Sequence, residues 1–218
     1  MESVRGAFAR ITTFVVICGF LLPMGTMRST LRGQAPVGGN IVRAIVFDSV
    51  RVKLDLDGNE TFASIQRVFG VAVPMLGGRH EIDQLCYRLT IAGRPATLLF
   101  KSDEFGGTDH GILGFEIIAG DPPATIAPMC ARATYSPRKV STDNGLSLGM
   151  SFDSLMRIMG KPTSVKSGEY RFYYEPSRAQ VLAICHEPPE TCSVGGFLIA
   201  TVSAAKVVGL SGWLNMTN

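Results

Sequence analysis

Charge is scarce in this chain: only 18% of its 218 residues are Asp, Glu, Lys or Arg, and like charges form no blocks. With 46% hydrophobic residues, that composition excludes an intrinsically disordered chain, which needs low hydrophobicity and high net charge. The 12 prolines and 24 glycines are scattered without period, which excludes collagen, and no heptad pattern supports a coiled coil. Histidine is rare, with His80, His110 and His186 in three separate loop-like segments, so no pair shares the spacing of a metal site. The longest apolar run, Ile11 to Leu22, is twelve residues closed by Pro23, short of the roughly 20 that span a bilayer. No strand-like run feeds a G-x-G-x-x-G or Walker sequence, so a phosphate loop is absent. The formal net charge of +3 belongs to one end: Arg5, Arg10, Arg28 and Arg32 stand against Glu2 alone in residues 1–35. Residues 36–218 hold 17 basic and 17 acidic side chains, and a neutral body with dispersed Arg and Lys does not suit nucleic acid.

What is present begins with the leader. Arg5 and Arg10 followed by a twelve-residue apolar stretch have the physical form of a secretory signal. The expectation is export to the periplasm or beyond, with residues 11–27 either removed or retained as an anchor. Cys18 lacks the small preceding residue of a lipid-attachment site. Setting it aside leaves Cys86, Cys130, Cys185 and Cys192, an even number that reads as a disulfide framework in an oxidising compartment. Cys185 and Cys192 flank a loop containing Pro188-Pro189, and a bridge closing it leaves Cys86–Cys130 as the second pair.

Two segments of the chain match. Residues 62–70 (Phe-Ala-Ser-Ile-Gln-Arg-Val-Phe-Gly) and 152–160 (Phe-Asp-Ser-Leu-Met-Arg-Ile-Met-Gly) share Phe, Ser, Arg and Gly in register. Their apolar residues fall at i, i+3 and i+7, namely Phe62, Ile65, Phe69 and Phe152, Leu155, Met159, which predicts one buried face of a short helix. Thr61 and Ser151 stand at the N-cap, and Gly70 and Gly160 stop the helix. Alternating segments follow each copy: Leu85, Tyr87, Leu89 and Ile91 in the first, Tyr170, Phe172 and Tyr174 in the second. Further apolar runs come at 96–100 and 112–118, and at 181–185 and 197–202. A strand with Val50, Val52, Leu54 and Leu56 on one face precedes the first copy. The expected fold is α+β, two tandem repeats, each a short helix on an antiparallel meander of three to four strands. The boundaries are a leader and linker at 1–35, the first repeat at 36–120, a linker at 121–144 and the second repeat at 145–218.

The run Gly145 to Pro162, which ends Met159-Gly160-Lys161-Pro162, followed by Gly168-Glu-Tyr-Arg-Phe-Tyr-Tyr174, resembles the helix–Gly-x-Pro–strand signature of BamE-like (SmpA/OmlA) periplasmic domains. Two such units in tandem are similar to the layout of the β-lactamase inhibitor proteins. The resemblance covers about 30 residues by sequence, and its motifs are structural, ending a helix rather than building a site. It implies an envelope protein and assigns no functional residue.

Candidate chemistry is thin. Gly145-Leu-Ser147-Leu-Gly149 matches the G-x-S-x-G pattern of a nucleophile elbow, but a turn-like Ser-Thr-Asp-Asn precedes it where a buried strand is needed. Asp55-Leu-Asp57-Gly58 is better explained as a turn leaving a strand than as a calcium loop, because position 1 of that loop would be Lys53. No cofactor and no metal are expected. Aromatics concentrate at Tyr87, Tyr170, Phe172, Tyr173 and Tyr174. Tyr173 and Arg171 have the parity opposite to the buried set, and Arg88 does so in the first copy, which makes these three the expected partner-binding residues. The function expected is a non-enzymatic binding or scaffold protein of the bacterial envelope, acting on another envelope or secreted protein through open sheet faces. Two other readings are an inhibitor or immunity protein of a partner enzyme and a secreted hydrolase using Ser147.

Overall fold

Eight residues make a helix too short to persist in water, so α1 (Phe62–Phe69) and α2 (Phe152–Met159) exist by what they pack against. In the computed structural model, which describes residues 42–54, 59–77, 82–102, 111–175 and 193–217, both helices stand where the apolar spacing predicts. Phe62, Ile65 and Phe69 of α1 are buried, as are Leu155 and Met159 of α2. Burial of each such side chain is worth about 1.5–3 kcal/mol, several times the helix propensity of any single residue. At α2 the Ser151 hydroxyl accepts from the Ser154 N–H at 3.2 Å. At α1 the return half of a capping box is present, the Thr61 N–H donating to the Ser64 hydroxyl at 3.1 Å. Gly70 and Gly160 end the helices at φ +94° and +74°, where a side chain would be strained.

Among the described residues eleven strands accompany these helices: β1 (Ala44–Phe47), β2 (Val50–Lys53), β3 (Gln84–Ile91), β4 (Arg94–Ser102), β5 (Ile112–Ala119), β6 (Ala131–Arg132), β7 (Val140–Thr142), β8 (Ser164–Lys166), β9 (Glu169–Tyr174), β10 (Ser193–Ser203) and β11 (Lys206–Thr217). Eight of them form one sheet in the order β6-β3-β4-β5-β11-β10-β9-β8. All its pairings are antiparallel except β3 with β6. The other three form a small sheet in the order β2-β1-β7.

The core lies on one face of the large sheet. Leu85, Tyr87 and Leu89 from β3, Leu98 and Phe100 from β4, Phe115 and Ile117 from β5, and Leu210 and Leu214 from β11 join the helices and the small sheet in one continuous cluster. Phe69 sits at its centre, 4.9 Å from Phe47, 5.7 Å from Phe100 and 5.5 Å from Tyr87 between ring centroids. The Tyr87 hydroxyl donates to the Gly70 carbonyl at 2.9 Å, and burial pushes its phenol up to about 12. That one contact ties the first sheet strand of this half to the end of α1.

The architecture corrects the expected fold class. The protein is largely β, with strand residues far outnumbering helical ones, and not two helix-on-meander repeats. The helices do precede the meanders β3-β4-β5 and β9-β10-β11, but β5 pairs with β11, so the two meanders continue as one sheet. An open edge leaves backbone N–H and C=O groups unpaired, and joining these two edges satisfies both at once. The strand at Val50 and Val52 pairs with β1 in the small sheet and is no part of a meander. Residues 121–144, expected as linker, contain a 3-10 turn at Ala127–Met129, β6 and β7. The leader and the run at 181–185 lie outside the described residues.

Two loops hold the frame under identifiable stress or charge. The β10–β11 hairpin turns through Ala204 and Ala205 at φ +47° and +59°, a left-handed geometry that suits Asn-Gly and penalises alanine. Replacing the pair by Asn-Gly should raise stability by about 1 kcal/mol, after allowing for the extra freedom glycine brings to the unfolded chain, read as a higher urea midpoint at unchanged slope. A lower midpoint would show that the alanines carry no strain.

In the β1–β2 turn, the Asp48 carboxylate accepts from the N–H groups of Arg138 (3.0 Å) and Lys139 (2.9 Å) and from the Tyr135 hydroxyl (3.1 Å). Those bonds, led by the Arg138 N–H, hold its carboxyl below the ordinary value of 3.8. A depressed native value means that the stabilisation is complete above the unfolded value and fades as pH falls through the native one. The urea midpoint of the native protein should therefore drop below about pH 4, and Asp48→Asn should lose part of that acid dependence. Identical pH profiles for the two proteins would contradict the assignment.

Candidate functional site

With the core on one face, the opposite face of the large sheet is free to carry a site. Register decides which side chains meet there. On β9, β10 and β11, Tyr173 pairs with Phe197 and Phe197 with Trp213, so three aromatic residues stand abreast on neighbouring strands. Trp213 in turn pairs with Gly114 of β5. The Tyr173 and Phe197 rings are 6.2 Å apart at an angle of 56°, and Tyr173 is 52% exposed.

The glycine is a requirement of that row. A Cβ built on Gly114 would lie 2.2 Å from Cε3 of Trp213, so the indole fills the space a side chain at 114 would take. One residue along, the arrangement reverses on the core face. There a Cβ on Gly212 would lie 2.6 Å from the Phe115 ring. The β5–β11 seam thus holds two aromatic–glycine pairs, one on each face.

A second row lies beside the aromatic one: Leu99, Glu116, Ser211, Ile199 and Arg171, each paired with the next across β4, β5, β11, β10 and β9. Its charges are matched. Lys101 donates to Glu116 at 2.7 Å, and Arg171 lies 3.4 Å from Glu169. The Glu169 carboxylate, followed by Tyr173, favours the charged form of Arg171 and raises its value further. The site is therefore half-exposed aromatic surface rimmed by internally paired charges. Such a surface can bury area against a partner without stranding a lone charge, which is the composition that binding interfaces favour.

Of the expected partner-binding residues, Tyr173 and Arg171 are brought together here on β9. Arg88 is not. It faces the same side but from β3, five strand spacings or about 24 Å away, and its Nε donates to the Cys130 carbonyl at 3.1 Å. Phe197 and Trp213 are not among the residues that the sequence marks for a site. The alternation of Leu210 and Leu214 with Ser211 and Trp213 was the available signal, but nothing in it tells which strands lie alongside.

The disulfide between Cys86 and Cys130 is present, joining β3 to the residue before β6. Cys185 and Cys192, with His186, lie outside the described residues, as do His80 and His110. Ser147 lies in the turn between β7 and α2, its N–H directed at Sδ of Met150 at 3.5 Å, and β7 belongs to an antiparallel sheet. That is not the parallel strand–turn–helix of a nucleophile elbow. Among the described residues no group of three or more His, Cys, Asp or Glu converges. The disulfide is compatible with an extracytoplasmic location. No helix among the described residues is long and apolar enough to cross a membrane.

Gly114→Ala tests the row directly, because Trp213 is the only tryptophan in the chain. The added methyl should displace the indole, shift its emission to the red and lower stability by about 1–3 kcal/mol. Unchanged emission would mean that the ring does not lie against this strand. No family model, no curated protein and no solved structure matches the chain, and the likeness to BamE-like domains stands on the quoted residues alone.

Proposed function

We propose that this is an exported, non-enzymatic binding protein of the bacterial envelope, which docks another protein on the outer face of its large sheet. The observation that carries the reading is the aligned row Tyr173, Phe197 and Trp213 on the face away from the core. A row that served only cross-strand packing would not need Tyr173 half exposed at its end. Rigid aromatics supply large contact area at low entropic cost, and their truncation at an interface centre often costs 2 kcal/mol or more. Arg171 and Ser211 supply polar contacts at the margin. The arginine-flanked leader and the Cys86–Cys130 bridge support the compartment.

A photoreactive phenylalanine analogue at position 173, expressed in the native host, tests the reading. Ultraviolet light should join it to one protein, whereas the same analogue at Lys53, exposed on the small sheet, should not. Trp213→Ala should abolish the adduct while the far-ultraviolet circular dichroism stays native, and should weaken binding about 30-fold. No adduct from 173, or the same adduct from both positions, would overturn the proposal.

A further inference from the structure

The outer face has a second end, and there it is covered. After β5 the chain must return to β6, beyond β3, and residues 121–130 make that crossing over the outer side of β4 and β3. This strap encloses a small cluster of Cys86, Leu99 and Cys130, with Ile126 of the strap and Met75 packed on it. The cluster is separate from the main core. Thr97, on the same outer face, is also fully buried.

The strap is bound mainly to itself. The N–H groups of Ile126 and Ala127 donate to the Pro123 carbonyl, that of Met129 to Ile126, and that of Cys130 to Ala127. Backbone bonds to the sheet flank it, from Gly120 to Pro95 before it, and through the β6–β3 pairing and from Ala133 to Arg88 after it. Side chains add Thr97 to Gly120 and Arg88 to Cys130. Besides those bonds, what holds the strap down is the Cys86–Cys130 bridge at its C-terminal end, the buried Pro122 and the half-buried Ile126 and Ala127. The layer is one chain thick, with Pro128 and Met129 exposed beside Cys130.

We infer that the strap is a redox-releasable cover of the β3–β4 end of the outer face. A dithiol reductant supplies two electrons and two protons and becomes a disulfide, while Cys86 and Cys130 become thiols. The strap between Gly120 and β6 then has only Pro122, Ile126 and Ala127 to hold it, and its departure uncovers Cys86 and Leu99. Leu99 pairs with Glu116 in the row that continues to Ile199 and Arg171, so the uncovered surface extends the face proposed above as the docking surface. The release is independent of that reading, and only its effect on a partner rests on it.

The experiment is alkylation of the whole protein with iodoacetamide after reduction, resolved by peptide mass, with hydrogen exchange recorded in parallel. A released strap predicts that Cys86 reacts within about tenfold of its rate in urea, while amides of Leu98, Phe100 and Ile117 keep their protection. In Ile126→Ser with the bridge intact, those amides should be equally protected. Reaction of Cys86 more than 100-fold slower than in urea would overturn the inference, because the strap then stays down unaided. Loss of protection in β4 and β5 on reduction would also overturn it, since the bridge would be a staple of the whole fold. Crosslinking from position 173 reads the docking face separately.

Discussion

The pairing of β5 with β11 is the contact on which the rest of this protein depends. It joins the meanders β3-β4-β5 and β8-β9-β10-β11 into one sheet, removes two exposed edges and lets a single core cover the joined face. Its detail is unusual. Gly212 admits the Phe115 ring on the core side, and one residue along Gly114 admits Trp213 on the outer side. Each glycine forfeits packing and backbone rigidity in a strand, and each is covered by the aromatic opposite. The seam is therefore specified on both faces by shape. A register slip of one residue would set Phe115 against Trp213 in one direction or Gly114 against Gly212 in the other.

That seam also explains why the two faces can have different work. The core face must be continuous, because neither short helix nor the small sheet has enough apolar area to bury alone. Phe47, Phe69, Phe100 and Tyr87 meet from four elements, β1, α1, β4 and β3. The outer face is under no such demand. It is closed at the β3–β4 end by the strap and left half-open at the β9–β11 end; Lys101 pairs with Glu116 across β4 and β5, and Arg171 with Glu169 on β9. Paired charges at a half-exposed surface add little to stability. Their pairing leaves none of these four charges without an opposite beside the aromatic row.

The sequence made the local elements legible and left their association hidden. Phe62, Ile65 and Phe69 name the buried face of α1, and Gly70 and Gly160 mark the helix ends, because those signals act over a turn or two of chain. Alternation in β3 assigned Tyr87 and Leu89 to the core and Arg88 outward for the same reason. Alternation carries no record of the neighbouring strand, however. The small sheet joins residues about 90 apart in sequence, Phe47 with Val140, and the period of either segment is silent about the other. The aromatic row is hidden in the same way, since Tyr173, Phe197 and Trp213 come from three strands and align only once register is set.

Placement of Arg88 shows what this costs a functional reading. By parity Arg88 and Arg171 are equivalent, one from each matched segment, and equivalence suggested a shared role. Topology separates them. The meanders meet through β5 and β11, their last strands, which sends β3 and β9 toward opposite ends of the sheet, each one strand from an edge. Matched segments joined in this manner place equivalent residues five strand spacings apart. Arg88 accordingly holds the Cys130 carbonyl beside the bridge, while Arg171 lies beside the exposed Tyr173. The same side chain type thus closes one end of the outer face and equips the other, and the difference arises from which strand each meander contributes to the seam.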